Sequence, residues 1–146
     1  MEGFIHMNEI ADGIYNALYA SSDVVGQVGG TPNPRIYRDL APQGADLPYY
    51  VFQRSGGPGD INDTPKEAHE ALYLVQGVTE VSPAAAGIMA GYSRTALHRV
   101  TLTVANWVNI WCACEGHVEL TEIDQDTGRQ SWRQGHFVRI RLAKST

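Results

Sequence analysis

Apolar residues recur every three or four positions near the start of the chain, which is the spacing of a helix with one buried face. The recurring positions between Phe4 and Tyr19 are Phe4, Met7, Ile10, Ile14 and Leu18. A first helix is therefore predicted there. The stretch from Ser21 to Gly30 has no such period and leads into further glycines and prolines, so it is predicted to be a loop.

A second helical pattern lies in the middle of the chain. Ser82 and Pro83 provide an N-cap followed by a proline at the first helical position. The segment that follows, Ala84 to Ala96, places three larger apolar residues on one side: Ile88, Met89 and Tyr92. A second helix is predicted over this segment.

Short runs that alternate apolar and polar residues, or that are rich in β-branched and aromatic residues, indicate strands. The predicted strands are Arg35 to Tyr37, Pro48 to Gln53, Ala71 to Val81, Val100 to Val104, Val118 to Ile123 and Phe137 to Leu142. The last two are expected to form a hairpin around Asp126-Thr127-Gly128. On its final strand the core-facing residues are Val138, Ile140 and Leu142, and the outward-facing ones are Phe137, Arg139 and Arg141.

Three features of the predicted strands affect the topology. Ala71 to Val81 is apolar on both faces, as expected of an interior strand. Ser55 to Lys66 is rich in glycine, proline, aspartate and asparagine, which predicts a long loop. Trp107 to Trp111 is aromatic and is predicted to be a bend before the hairpin.

The order of these elements predicts an α+β fold. We expect a mainly antiparallel sheet of four to five strands with two helices packed on one of its faces. The chain has 146 residues and shows no internal repeat or low-complexity tract, so residues 1–146 are expected to form a single domain.

Composition and charge narrow the class of function. The formal net charge is -5, which is opposite to the charge of a protein that grips a phosphate backbone. Only 18% of residues are charged, which indicates that another chain covers part of the surface. No apolar run is long enough to cross a bilayer and no signal peptide is visible, so we expect synthesis in a reducing cytoplasm and no membrane partner.

Few residues suggest catalysis or metal binding. Cys112, Cys114 and His117 are zinc-type ligands, but they lack the four-ligand spacing of a structural site, so a buried structural role is the favoured interpretation. His69 stands beside Glu70 and near Glu67, a combination that we interpret as a solvated strand run rather than as an acid–base pair. We expect no enzymatic activity, no cofactor and no bound metal. A small metal-binding or ligand-binding protein that uses the two cysteines and His117 is the alternative from another class.

The segment from Arg35 to Gln53 joins an Arg-Ile-Tyr strand, a Pro-Gln-Gly-Ala loop and a Leu-Pro-Tyr-Tyr-Val-Phe-Gln strand. Together with the helix before it, this order resembles the opening of the tail terminator, or tail completion, family of long-tailed bacteriophages and phage-derived particles. The residues that match the family's recurring pattern are Arg35, Ile36, Tyr37, Pro48 and Tyr49. The resemblance implies structural roles for them, and beyond Val81 it is one of pattern only.

The resemblance implies a non-enzymatic virion protein. It would assemble in the host cytoplasm as a ring, generally a hexamer, at the head-proximal end of the tail tube, where it ends tube growth and presents a docking surface for the head connector. Implied partners are further copies of the chain, the tail tube protein, the head connector or stopper protein and the tape measure protein. DNA would pass through the lumen without specific binding. A head completion or stopper protein of the connector is the alternative within the same class.

A ring subunit must offer two different surfaces to its neighbours. Aromatic residues and arginine are enriched at the cores of interfaces, and this enrichment selects the candidates for contacts between subunits. The candidates are Tyr50, Trp107, Trp111, Trp132, Phe137, Arg139 and Arg141. A place in the hydrophobic core is the alternative for Trp107 and Trp111.

Overall fold

A computed structural model of the protein describes residues 7–61, 68–123 and 128–144. The elements in chain order are α1 (Met7–Tyr19), α2 (Ser22–Gln27), β1 (Ile36–Arg38), β2 (Tyr49–Ile61), β3 (Ala68–Thr79), α3 (Pro83–Leu97), β4 (Trp107–Ile123) and β5 (Gln130–Lys144). The strands form one sheet in the order β1-β2-β3-β5-β4, which curls as a half-barrel with the helices packed against it. All neighbouring strands are antiparallel except β1 and β2. The predicted α+β class is confirmed.

The two predicted helices are present. Ile10, Ile14 and Leu18 of α1 are fully buried, as their spacing predicted. At the start of α3, Ser82 Oγ accepts a hydrogen bond from the Ala85 amide over 3.0 Å, so the predicted N-cap is confirmed. Ile88 is 53% exposed, and its predicted place on the buried side of α3 is wrong. Phe4 lies outside the described residues.

The segment predicted to be a loop after the first helix contains α2, a helix of six residues. Ser21 caps it, with its side-chain oxygen accepting a hydrogen bond from the Val24 amide. Val24 and Val25 are buried against the other two helices. A helix of six residues is too short to show a hydrophobic period in the sequence. Packing of the two adjacent valines stabilises it instead.

The predicted Ser55–Lys66 loop is wrong over its first half, because β2 continues to Ile61. The strand remains paired with β3 to its end, where Ile61 lies opposite Ala68. Register shifts on either side of Gly56, whose φ is +153°, accommodate the glycine-rich sequence without ending the strand. The remainder of the predicted loop, residues 62–67, lies outside the described residues.

The predicted strand from Val100 to Val104 is also wrong. Within this segment the structure has only an isolated bridge between Val104 and Trp107. The segment instead runs along the free edge of β4, where the Arg99 amide donates to the Cys112 carbonyl over 2.7 Å. Its alternating pattern reflects burial of Leu102 and Val104 in the core without a partner strand.

Trp107 begins strand β4 rather than forming a bend, so the hairpin is longer than predicted. The β4–β5 pairing runs from Trp107 opposite Lys144 to Ile123 opposite Gln130, and it confirms the predicted hairpin. On β5 the predicted core residues Val138, Ile140 and Leu142 are fully buried. The predicted interior strand is likewise confirmed, because β3 lies between β2 and β5.

None of the described helices combines the length and the apolar character needed to cross a membrane.

Two glycines mark where neighbouring elements approach most closely. A Cβ atom added at Gly77 on β3 would lie 2.7 Å from Met89 Cβ, so α3 rests directly on the strand at this point. A Cβ atom added at Gly135 on β5 would collide with the Val75 carbonyl oxygen and lie 2.8 Å from Gln76 Cα. At Gly135 the obstacle is backbone, which cannot move aside without breaking the sheet.

We therefore expect Gly135→Ala to lower the free energy of unfolding by about 3 kcal/mol, the upper range for overpacking a core. Urea unfolding followed by circular dichroism measures this effect. Gly91→Ala is the matched control, because a Cβ atom added there meets nothing within 4 Å and lies in α3. It should raise the free energy of unfolding by about 1 kcal/mol through helix propensity. Equal effects of the two substitutions would contradict the close approach.

Candidate functional site

The five residues of the sequence motif come together where β1 meets the start of β2. Arg35 Nε donates to the Pro48 carbonyl oxygen over 2.9 Å, and the Arg35 carbonyl accepts from the Tyr50 amide over 2.9 Å. The rings of Tyr37 and Tyr49 contact each other edge to face, with centroids 5.6 Å apart. The motif therefore forms a clamp, here meaning these contacts between the parallel strands β1 and β2.

Arg35 also joins this clamp to the helical layer. Its amide donates to the Val28 carbonyl at the end of α2 over 2.7 Å, and its guanidinium lies across Gly29, where a Cβ atom would be 2.8 Å from Nη1. Ile36, the next residue, is 6% exposed and belongs to the hydrophobic core. One side chain thus contacts the end of α2 and the start of β2.

The sheet face opposite the helices, here called the open face, carries four of the candidate interface residues, namely Trp111 on β4, which lies opposite Arg141, and three residues of β5. Phe137, Arg139 and Arg141 alternate on β5 and are half-buried. Arg139 Nη2 lies 2.8 Å from Glu115 Oε1 on β4, and Arg139 Nη1 lies 3.0 Å from Glu70 Oε2 on β3. The hydrogen bond from Arg139 lowers the pKa of the Glu115 carboxyl. Arg139 therefore links three strands within the chain as well as facing outward.

The remaining candidates fall in different places. Tyr50 is fully buried, and its hydroxyl donates to the Met89 carbonyl over 2.7 Å, so it is a core residue and its expected role at an interface is corrected. Burial also raises its pKa. Trp107 is 8% exposed and belongs to the core, whereas Trp111 is 38% exposed. Trp132 lies opposite Thr79 and, by alternation along β5, faces the helix side of the sheet.

The candidate zinc ligands are not gathered into one site. Cys112 is buried, its thiol donates to the Leu97 carbonyl over 3.2 Å, and burial raises its pKa to about 12. Burial likewise raises the pKa of Cys114 to about 11. His117 is exposed and pairs with Glu119 over 3.1 Å, with its ring beside that of His136. Over the described ranges no three His, Cys, Asp or Glu side chains are grouped so that they could hold a metal ion.

His69 is not part of a solvated run, which corrects the expectation for it. It is 6% exposed and lies within the sheet, with its ring 6.3 Å from that of Trp107 and its Nε2 3.3 Å from Arg54 Nη1. Glu70 points to the open face and pairs with Arg139, so the two side chains lie on opposite faces of β3. Glu67 lies outside the described residues.

A cleft of about 820 Å³ between the 44–47 loop and the end of the β4–β5 hairpin was not anticipated from sequence. Side chains of both charges line it, including Arg35, Glu80, Glu122 and Arg129. Arg129 Nε lies 3.1 Å from Glu80 Oε2 across this cleft. Nearby on β4, Leu120 and Ile123 are 51% and 64% exposed. Leu120 and Ile123 belong to the hairpin that the alternation of apolar and polar residues predicted. That alternation gives no information about a cleft beside the hairpin.

We expect Arg35→Lys to lower the free energy of unfolding by about 1 kcal/mol. A lysine ammonium keeps the charge but does not reproduce the planar guanidinium that donates to Pro48 while lying over Gly29. Urea unfolding measures the change. Arg99→Lys is the control, because Arg99 is exposed and its side chain donates a hydrogen bond to the neighbouring His98. A similar loss in both variants would argue against the clamp.

A second prediction concerns the cysteines. With its pKa raised from 9.0 to about 12, the Cys112 thiol has a roughly thousandfold smaller thiolate fraction at pH 8 than an ordinary cysteine, so native protein should react with iodoacetamide at least that much more slowly than unfolded protein. Mass spectrometry in a Cys114→Ser background measures the rate. Stoichiometric zinc in the purified protein that disappears in Cys112→Ser would instead support the metal-binding alternative.

Comparison with known proteins supports the fold. No protein-family model matches the chain, and no curated protein sequence matches it significantly. Among solved structures, a chain described as "Virion of native gene transfer agent (GTA) particle" is similar, with a TM-score of 0.64 and 16% identity over 89% of this chain and 91% of that chain. At this identity the match shows that the two chains share a fold.

Proposed function

We propose that the protein is a structural virion component that forms a ring at the head-proximal end of a phage-type tail tube. One observation supports this more than any other, namely the shared fold with a gene transfer agent virion chain over nearly the whole length of both chains. The Arg35 to Gln53 pattern, which resembles tail terminator proteins, adds the specific position in the tail. The proposed role is non-enzymatic and requires no cofactor.

A closed ring needs a heterologous contact in which two different surfaces of one chain meet. The candidate interface residues are divided in this way. Phe137, Arg139 and Arg141 lie on the open face, whereas Trp132 lies on the helix side. A contact that joins the open face of one subunit to the helix side of the next would bury both groups, and the half-buried arginines would form its polar part.

The end of the β4–β5 hairpin is the proposed surface for partners along the tail axis. Leu120 and Ile123 expose apolar area there, beside the charged cleft that contains Glu122 and Arg129. An apolar centre with a polar rim is the usual composition of a protein interface. The partners that we propose are the tail tube protein on one side of the ring and the head connector or stopper protein on the other, with the tape measure protein as a further neighbour.

The negative charge of the chain suits a ring through which DNA passes. A formal net charge of -5 on each subunit disfavours retention of a phosphate backbone, whereas a lysine-rich lumen would bind it. The protein would therefore let DNA through without specific contacts. Its place would be the virion tail, after assembly in the host cytoplasm.

Negative-stain electron microscopy of particles produced after disruption of the gene tests the proposal. Loss of a terminator should give tails of uncontrolled and excessive length beside tailless heads, because nothing ends polymerisation of the tube. Complementation with the intact gene is the control and should restore uniform tails joined to heads.

Other outcomes of this experiment would reassign the protein. Tails of normal length that fail to join heads would identify a head completion or stopper protein. Intact particles would contradict any structural role in the virion. Sedimentation of the purified protein adds an independent check, because a hexamer of this 16.0 kDa chain has a mass of about 96 kDa.

A further inference from the structure

A small pocket lies on the open face beside the charged cleft, because Arg133 at its edge pairs with Glu122, which lines that cleft. The volume of the pocket is about 130 Å³. Its walls are the 39–41 segment after β1 together with side chains of β2, β3 and β5. The apolar walls include Leu40, Tyr49 and Val51, and the polar end is formed by Gln76 and Arg133. The pocket therefore has polar groups concentrated on one side.

Two side-chain donors in this pocket are buried and make no aligned hydrogen bond. Gln76 is 5% exposed, and its Nε2 is inaccessible to solvent and makes no hydrogen bond. Arg133 Nε is also inaccessible and unbonded: it lies 3.1 Å from Glu122 Oε1, but without the alignment of a hydrogen bond. Buried donors are nearly always paired in folded proteins, so the unpaired Gln76 Nε2 indicates a missing acceptor, and the ion-paired Arg133 places a positive charge beside it.

The sheet itself creates this arrangement. Gln76 lies opposite Gly135 in the pairing of β3 with β5. Arg133 lies opposite Val78, which is the next residue of β3 on the same face, so the side chains of Gln76 and Arg133 line one pocket. The Val75 carbonyl excludes a side chain at position 135.

We propose that this pocket binds a carboxylate group. A carboxylate offers only acceptor oxygens, and it can pair one with the amide of Gln76 and the other with the charged Nε of Arg133. The pocket has room for such a group, because its volume of about 130 Å³ is several times what a single water molecule requires.

The neighbouring charges permit such an occupant. Glu122, the present ion-pair partner of Arg133, has a side chain that is 50% exposed and can turn toward water when another carboxylate arrives. Asp39 at the rim is 69% exposed and pairs with Arg38 over 3.7 Å. A neutral amide would accept hydrogen bonds with the same shape, but it would lack the charge-assisted bond to Arg133.

The carboxylate has two possible sources, a free small molecule or an Asp or Glu side chain of a second copy of the chain. Titration of purified protein with sodium acetate, followed by NMR of the Gln76 amide and the Arg133 Nε–H, tests for the group itself. We expect saturable shifts of both resonances with a Kd on the order of 1 to 10 mM, as suits so small a ligand. Acetamide should shift them at least about tenfold more weakly.

Variants assign the effect to the pocket. Gln76→Leu keeps the volume and removes the donor, so the acetate shift of Arg133 should weaken at least about tenfold. Arg133→Gln should do the same for the shift of Gln76. Arg141→Gln is the matched control on the same strand and face, with a side chain 34% exposed against 25% for Arg133, and it should leave both shifts unchanged. Thermal unfolding of each variant checks that it folds.

Sedimentation distinguishes the two sources. If the occupant is a side chain of a second copy, both pocket variants should lose self-association and acetate should compete with it in the wild type. Acetate shifts without any change in sedimentation identify a free carboxylate. The proposal is overturned if acetate causes no shift and both variants sediment like the wild type, if the shifts persist in both variants, or if acetamide binds as well as acetate.

Discussion

The close contact between α3 and β3 at Gly77 fixes the position of the helical layer on the sheet. Because Gly77 has no side chain, Met89 rests on the strand itself, and the Met89 carbonyl accepts the hydroxyl of Tyr50 from the adjacent strand. The helix is thus fixed to two strands at one point, and α1 and α2 pack around it. With the helical layer on one face, the curled sheet leaves its other face for the arginine and glutamate pairs and for the pocket.

Much of the fold followed from periodicity, because long amphipathic elements bury one face whatever surrounds them. The stripe of α1, the cap at Ser82 and the alternation of Val138, Ile140 and Leu142 are local signals of this kind. The incorrect secondary-structure predictions lie where tertiary contacts determine whether a segment pairs as a strand. Leu102 and Val104 alternate as a strand does but have no partner strand, and the glycines after Arg54 look like a loop but pair with β3.

The candidate site was predictable to a smaller extent. The motif residues Arg35, Pro48 and Tyr49 were recognised as a group, and the structure explains them through a hydrogen bond and a ring contact between two strands. Residue type alone does not distinguish Tyr50 from an aromatic residue at an interface. Its side chain lies on the helix side of β2, which places it in the core. Gln76 and Arg133 meet only because β3 and β5 pair in one register, which no local pattern specifies.

The segment after α3 has a consequence for the solubility of the chain. An edge strand of seventeen residues invites pairing with any extended chain. Here the Arg99 amide binds the Cys112 carbonyl, and His98 Nδ1 accepts from the Cys114 amide, so the half of β4 nearest the core is shielded. Only the part beyond the Gly116 bulge remains open to a further strand. At this edge of the sheet, pairing with a further strand is thereby confined to the end of β4 near the hairpin turn.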